Sequence, residues 1–112
     1  MVSYLSLAKR IMNDELSNEE LIENLETPNV VVLQHVMLKL VKHNIKSEFV
    51  CQKLIKYSDF MDIKYKILGP CKIGHLAIYA LKKLGYVKEY QDIYSRLEEE
   101  EQELVDMLEK AL

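Results

Sequence analysis

Cys71 and His75 stand four residues apart in "CKIGH", a spacing that places a thiol and an imidazole on one face of a helix. Two chemistries use such a pair. A structural zinc site needs four ligands, and no second pair stands at ligand spacing anywhere in the chain. Nucleophilic catalysis would use Cys71 at a helix N-terminus, where the helix dipole lowers a thiol pKa. That role also requires a base, and none is identifiable beside it. With only Cys51 and Cys71 in 112 residues, the cysteines read as reduced, buried, small hydrophobes.

The remaining polar groups exclude chemistry in the same way. His35, His43 and His75 fall on predicted helices, none with a carboxylate three or four residues away. His35 and His75 sit in apolar stretches, as hydrogen-bonded structural histidines do. The run Glu98 to Glu101 radiates around a helix, so its carboxylates cannot share one metal. Glycine-rich phosphate loops, nucleophile elbows, HExxH and CxxC are absent from the sequence. No catalytic residue, metal or cofactor is expected.

Tyrosine and lysine remain as contact-forming residues. Tyr86, Tyr90 and Tyr94 step by four and would line one face of the last helix, and tyrosine suits interfaces because it is large, rigid and amphipathic. Lys39, Lys42 and Lys46 fall on one helical ridge, which Lys53 and Lys56 continue on the next helix.

The elements that must position these residues are helical throughout. Apolar residues recur at helical spacing, and glycine and proline number only 3 and 2. A first helix is expected over residues 2 to 13, with Val2 at its start. Ser17 opens a second through the capping box "SNEE". Thr27 caps a third, with Pro28 in its first turn, running to His43 before Asn44 as a left-handed end cap. Ser47 caps a fourth, "EFVCQKLIKY". A fifth, "FMDIKYKIL", ends at Gly69-Pro70, and a sixth runs from Pro70 to Leu84 and stops at Gly85. Residues 87 to 112 contain no breaker and read as one long helix.

Two of these segments coincide when one is laid on the other. "LETPNVVVLQHVMLKLV" from Leu25 and "LGPCKIGHLAIYALKKL" from Leu68 match at an offset of 43 residues. Val30 meets Ile73, Leu33 meets Leu76, Leu38 meets Leu81 and Lys39 meets Lys82. A period of about 40–47 residues with two or three helices marks HEAT and armadillo repeats. "LGPCKIGHLAIYALKKLG" resembles the HEAT pattern, which closes on "A-L-x-x-L-G". Residues 25 to 42 depart from it at Met37, where alanine is usual, and lack the closing glycine. Both copies lack the usual acidic residue of the turn and the following arginine. The resemblance covers residues 17 to 97. It implies an all-α, right-handed α-α superhelix of about two units in a single domain over 1-112. Capping helices would occupy 1-26, the repeat core 27-97 and an acidic helix 98-112.

The net charge of −3 conceals a segregation. Residues 1 to 26 carry −4, residues 27 to 88 carry +8 from eleven lysines against three acids, and residues 89 to 112 carry −7. Acidic end helices packed beside the basic middle would complement it. A basic face gripping phosphates is the competing reading, although the sequence pI is near 5.6 and no base-reading motif is present.

The residues therefore point to a non-catalytic protein-protein interaction module, a scaffold, binding a protein or peptide partner through Tyr86, Tyr90, Tyr94, Lys53 and Lys56. The alternative is a binder of nucleic acid or another acidic ligand through the lysine-rich middle. A third is self-association through the Leu104/Leu108 stripe, giving a monomer or weak homodimer. No stretch approaches the ~20 apolar residues of a membrane span, and the first residues lack a basic, apolar leader pattern, so a cytoplasmic location is expected.

Overall fold

A computed structural model describes residues 3–112. Its described chain forms seven α-helices: α1 (Tyr4–Met12), α2 (Asn18–Glu23), α3 (Val30–Lys42), α4 (Glu48–Tyr57), α5 (Ile73–Lys83), α6 (Val87–Ser95) and α7 (Glu99–Ala111). Two very short strands, β1 (Lys66–Leu68) and β2 (Cys71–Lys72), pair antiparallel between α4 and α5. The all-α class holds, with this hairpin as its departure. Val2, expected at the start of the first helix, lies outside the described residues.

Local chemistry sets most helix starts. The Ser17 hydroxyl accepts from the Glu20 N–H, and the Glu20 carboxylate accepts from the Ser17 N–H, closing the expected capping box. Ser47 caps α4 by accepting from the Val50 N–H. Helix α3 begins two residues later than expected. Asn29 caps it by accepting from the Val32 N–H, while Thr27 accepts only from the Asn29 N–H. The proline explains the shift: residue 27, before Pro28, is held extended with ψ 140°, and asparagine then supplies an equally good cap. Asn44 ends the α3 segment in the left-handed region at φ 51°, and Gly85 follows α5 at φ 88°.

Two further expectations fail, each because tertiary contacts outweigh helical spacing. "FMDIKYKIL" is not a helix. The Asp62 carboxylate caps a single 3₁₀ turn over Ile63–Tyr65 by accepting from the Lys64 N–H. The chain then reverses through Gly69, whose φ of 53° suits the first position of a two-residue turn. Cys71 therefore lies on β2, and α5 starts at Ile73 rather than Pro70. Residues 87 to 112 also do not form one helix. They break between α6 and α7, where the Tyr94 carbonyl accepts from both the Leu97 N–H and the Gln102 side-chain amide. Glu99, Glu100 and Glu101 fill the first turn of α7, where carboxylates favour the positive end of the helix dipole.

Helix α5 organises the core. Every residue from Ile73 to Leu81 is buried, as a helix apolar all round requires, and α3, α4, α6 and α7 all pack on it. Alternate helices lie side by side in the order α1, α3, α5, α7. Polar contacts give their direction. Asp14, just after α1, meets Lys39 and His43 at the end of α3. His75 and Glu101 join the starts of α5 and α7, and Lys82 and Glu109 join their ends. Each of these two pairs therefore runs parallel. The stripe considered for self-association is used internally: Leu108 is buried and Leu104 packs against the core.

Candidate partner-binding groove

Helices α4 and α6 both rest on α5 and leave a cleft of about 320 Å³ between their C-terminal halves. Ile55, Ser58 and Asp59 line it from α4 and the residues after it, Ile93, Arg96 and Leu97 from α6 and its end, and Met61 closes one end. The seams follow from helical spacing. Cys51, Ile55 and Ser58 form one flank of α4, displaced from the core-facing Val50, Leu54 and Tyr57. Helix α6 is amphipathic, with Tyr90, Ile93 and Tyr94 packed against the core, yet it has no fully buried residue, unlike every other described α-helix.

Polar groups set the two helices that wall the cleft. At their starts, away from the cleft, the Tyr86 hydroxyl accepts from the Ser47 N–H and donates to the Ser47 carbonyl, each at 3.0 Å, tying the start of α6 to the start of α4. On α4 the Cys51 thiol is pushed up by burial and by the carboxylates of Glu89 and Glu48. Within the cleft Ser58 is buried with its hydroxyl donating to the Ile55 carbonyl. Asp59 lies beside it, and Arg96 reaches back to Asp92 at 3.0 Å.

The five residues singled out from sequence do not gather here. Tyr86 is the cap residue before α6, and its hydroxyl is spent on Ser47. Tyr90 and Tyr94 stack at 5.2 Å and turn toward α5 and α7. Lys82 lies 5.4 Å from the Tyr90 ring, and the Tyr94 hydroxyl donates to the Asp106 carboxylate at 3.0 Å. Lys53 occupies the opposite flank of α4, paired with Glu26 at 2.7 Å. Lys56, on that flank, borders a separate cleft of about 280 Å³ with Tyr57, Phe60 and Tyr65. The groove residues Ile55, Ile93 and Leu97 were missed, although their spacing of three or four was visible in the sequence.

The lysine ridge is largely taken up by acids. Lys39, Lys42 and His43 all meet Asp14, whose carboxyl is held far below the usual range first by His43 and then by Lys39. Lys82 and Lys83 share Glu109. Complementation of the basic middle by its acidic ends accounts for these contacts.

The groups tested for chemistry are engaged as well. Cys71 is buried on β2, its thiol donating to the Leu104 carbonyl at 3.6 Å, and burial pushes its pKa up rather than down. The Nδ1 of His75 accepts from the Lys72 N–H at 2.9 Å, so Nε2 carries the proton and donates to Glu101 at 2.5 Å. Its carboxylate partner is 26 residues away in sequence, outside the reach of a search along one helix. Among the described residues, no cluster of three or more His, Cys, Asp or Glu is placed to hold a metal, and no helix is long and apolar enough to cross a membrane. No protein-family model matches the chain, and no curated protein or solved structure matches it.

Proposed function

We propose that the chain is a non-catalytic, cytoplasmic interaction module of HEAT-like helical repeats that receives a protein or peptide segment in the groove between α4 and α6. The carrying observation is α6 itself. It presents Ile93 toward the groove and Val87 to solvent, and no residue of it is fully buried. A helix covered on one side only leaves a surface for a partner.

The repeat reading is supported by α3 and α5, which begin at Val30 and Ile73, the positions matched at the 43-residue offset. The side-by-side order of α1, α3, α5 and α7 is what stacked helical units give, each burying the apolar face of the next. About two units would form a right-handed superhelix flanked by α1 and α7. The raised thiol pKa values and the doubly bonded His75 imidazole support the non-catalytic reading. Acid-paired Lys39, Lys42, Lys53, Lys82 and Lys83 favour it over nucleic-acid binding, since a lysine held by a carboxylate has less to gain from a phosphate.

The test is a pull-down from source-cell lysate with and without nuclease, comparing wild type with Ile93→Glu and Lys56→Glu. A nuclease-resistant protein captured by wild type and Lys56→Glu, but lost with Ile93→Glu, is the expected result. Capture that disappears with nuclease and with Lys56→Glu overturns the reading in favour of nucleic acid.

A further inference from the structure

We propose that a second cleft, beside the β1–β2 hairpin, is an oxyanion site in which Lys66 and Lys72 hold a phosphate group that carries an apolar substituent. It is separate from the partner groove, with which it shares only Met61. The cleft has a volume of about 350 Å³ and is lined by Met61, Ile63, Lys66, Pro70 and Lys72, with no carboxylate among them. A register shift between Lys66 and Leu68 brings Lys66, rather than Ile67, opposite Lys72 across the antiparallel pair. Such irregularities re-aim a side chain. Opposed residues of an antiparallel pair have Cα atoms roughly 5 Å apart and share one face, so a single small anion is within reach of both ammonium groups.

Charge identifies the ligand. Like charges set opposite one another destabilise a strand pair, and strands of three and two residues have little stability to spare. Nothing within the fold offsets the repulsion. Neither lysine has an ion-pair partner among the described residues, unlike Lys39, Lys42, Lys53, Lys82 and Lys83. The sequence has no acid from Ile63 to Lys88. The acids on either side are engaged elsewhere: Asp62 accepts from the Lys64 N–H, and Glu101 accepts from His75. A phosphate monoester, with about −1.5 to −2 charges near pH 7 and three acceptor oxygens, neutralises two lysines where a carboxylate neutralises one. Met61, Ile63 and Pro70 supply an apolar wall, and Ile63 is 77% exposed, which suits an apolar substituent on the phosphate.

The probes are phenyl phosphate, inorganic phosphate, and phosphatidylcholine vesicles with and without phosphatidic acid, all at one ionic strength set with sodium chloride. Amide chemical shifts of the hairpin follow the soluble probes, and cosedimentation follows the vesicles. Phenyl phosphate is expected to bind more tightly than inorganic phosphate, and Lys66→Gln to weaken it about tenfold, equivalent to ~1.4 kcal/mol. Ile63→Ser should remove the advantage of the phenyl group. Lys64→Gln removes the same charge from a lysine that lies 5.2 Å from the Tyr65 ring and does not line the cleft, so it should bind like wild type. Without ligand, Lys66→Gln should melt no lower than wild type, because it relieves the like-charge pair. Binding to phosphatidic acid vesicles alone, lost with Lys66→Gln and kept with Lys64→Gln, supports the site and assigns it to a lipid headgroup. Equal weakening by Lys64→Gln and Lys66→Gln reduces the effect to net charge and overturns the proposal, as does the absence of binding to every probe.

Discussion

Lys39 and Lys82 stand at matching positions of α3 and α5, 43 residues apart, and close ion pairs toward opposite ends of the chain. Lys39 reaches Asp14 at 2.9 Å and Lys82 reaches Glu109 at 2.7 Å. The same position in two similar helices thus serves both flanks: one lysine holds the segment after α1, the other holds α7. Part of the charge segregation of the sequence is thus neutralised within the fold, at Lys39, Lys42, Lys53, Lys82 and Lys83.

Asp14 is the more heavily used acid, and Asp14→Asn isolates its charge because asparagine tolerates the same left-handed backbone, φ 58°. Its folded pKa lies below the unfolded value of ~3.9. The resulting stability is present above that value and lost as pH falls toward the folded one. The Asp14→Asn variant is therefore expected to melt below wild type at neutral pH, with the gap closing below about pH 4 and narrowing in high salt. An equal gap at acid and neutral pH would mean that the carboxylate charge is not what matters.

His75 has the opposite charge type but the same direction of pH dependence. It lies where α3 carries Val32, and both are fully buried. Burial lowers its pKa first; Glu101 pulls it back up, and Lys72 lowers it further. Because the folded value is below the unfolded ~6.5, stability is complete above that pH and declines as pH falls toward the folded value. His75→Leu should cost about 1–3 kcal/mol at neutral pH by leaving the Lys72 N–H without its acceptor. Its deficit relative to wild type should shrink between about pH 7.5 and 5.5, across the unfolded histidine range. Denaturant melts at several pH values measure this, and a constant deficit would show that His75 is not held neutral.

What was legible in the sequence was whatever depended on neighbours along the chain. The Ser17 capping box, the Ser47 cap, the left-handed Asn44 and the Gly85 that follows α5 all come from local residue types, and the structure places them as expected. The β1–β2 hairpin was not legible, because "FMDIKYKIL" carries helical spacing and its hairpin conformation depends on contacts with α3 and α5. The break before α7 had a visible signal in the glutamate run, which suits a helix start better than a helix middle. The groove was obscured for another reason: residue type pointed to tyrosines and lysines, but hydrogen bonds and ion pairs already occupy most of them. Which flank of α4 stays open depends on how α4 and α6 are set on α5, and that is a tertiary fact.

The seating of the segment after α4, Ser58 to Met61, against the start of α5 makes Gly74 a sensitive position. Its N–H donates to the Phe60 carbonyl at 3.0 Å. A Cβ there would stand 2.9 Å from the Ser58 carbonyl oxygen and 2.7 Å from the Met61 sulfur. Met61 can swing away, but the backbone oxygen cannot. Gly74→Ala is expected to destabilise by about 1–3 kcal/mol, the usual range for overpacking. Adding Met61→Ala should recover only part of that loss. Full recovery in chemical denaturation would show that the sulfur alone sets the close approach.

Tyr86 separates a structural role from a contact role. As a partner-contacting tyrosine it would tolerate loss of its hydroxyl in the free protein. In the structure that hydroxyl is both donor and acceptor for Ser47, joining the starts of the two helices that frame the groove. Tyr86→Phe removes both bonds and leaves the part-buried Ser47 N–H without its acceptor, at an expected cost of about 1–2 kcal/mol. Ile93→Glu, at a half-buried position that lines the groove and also packs against the core, should abolish partner capture by protein whose circular dichroism shows it still folded. The two variants thus divide along the line between building the groove and occupying it. Were Tyr86→Phe to melt like wild type and still lose its partner, the hydroxyl would belong to the interface, as the sequence had suggested.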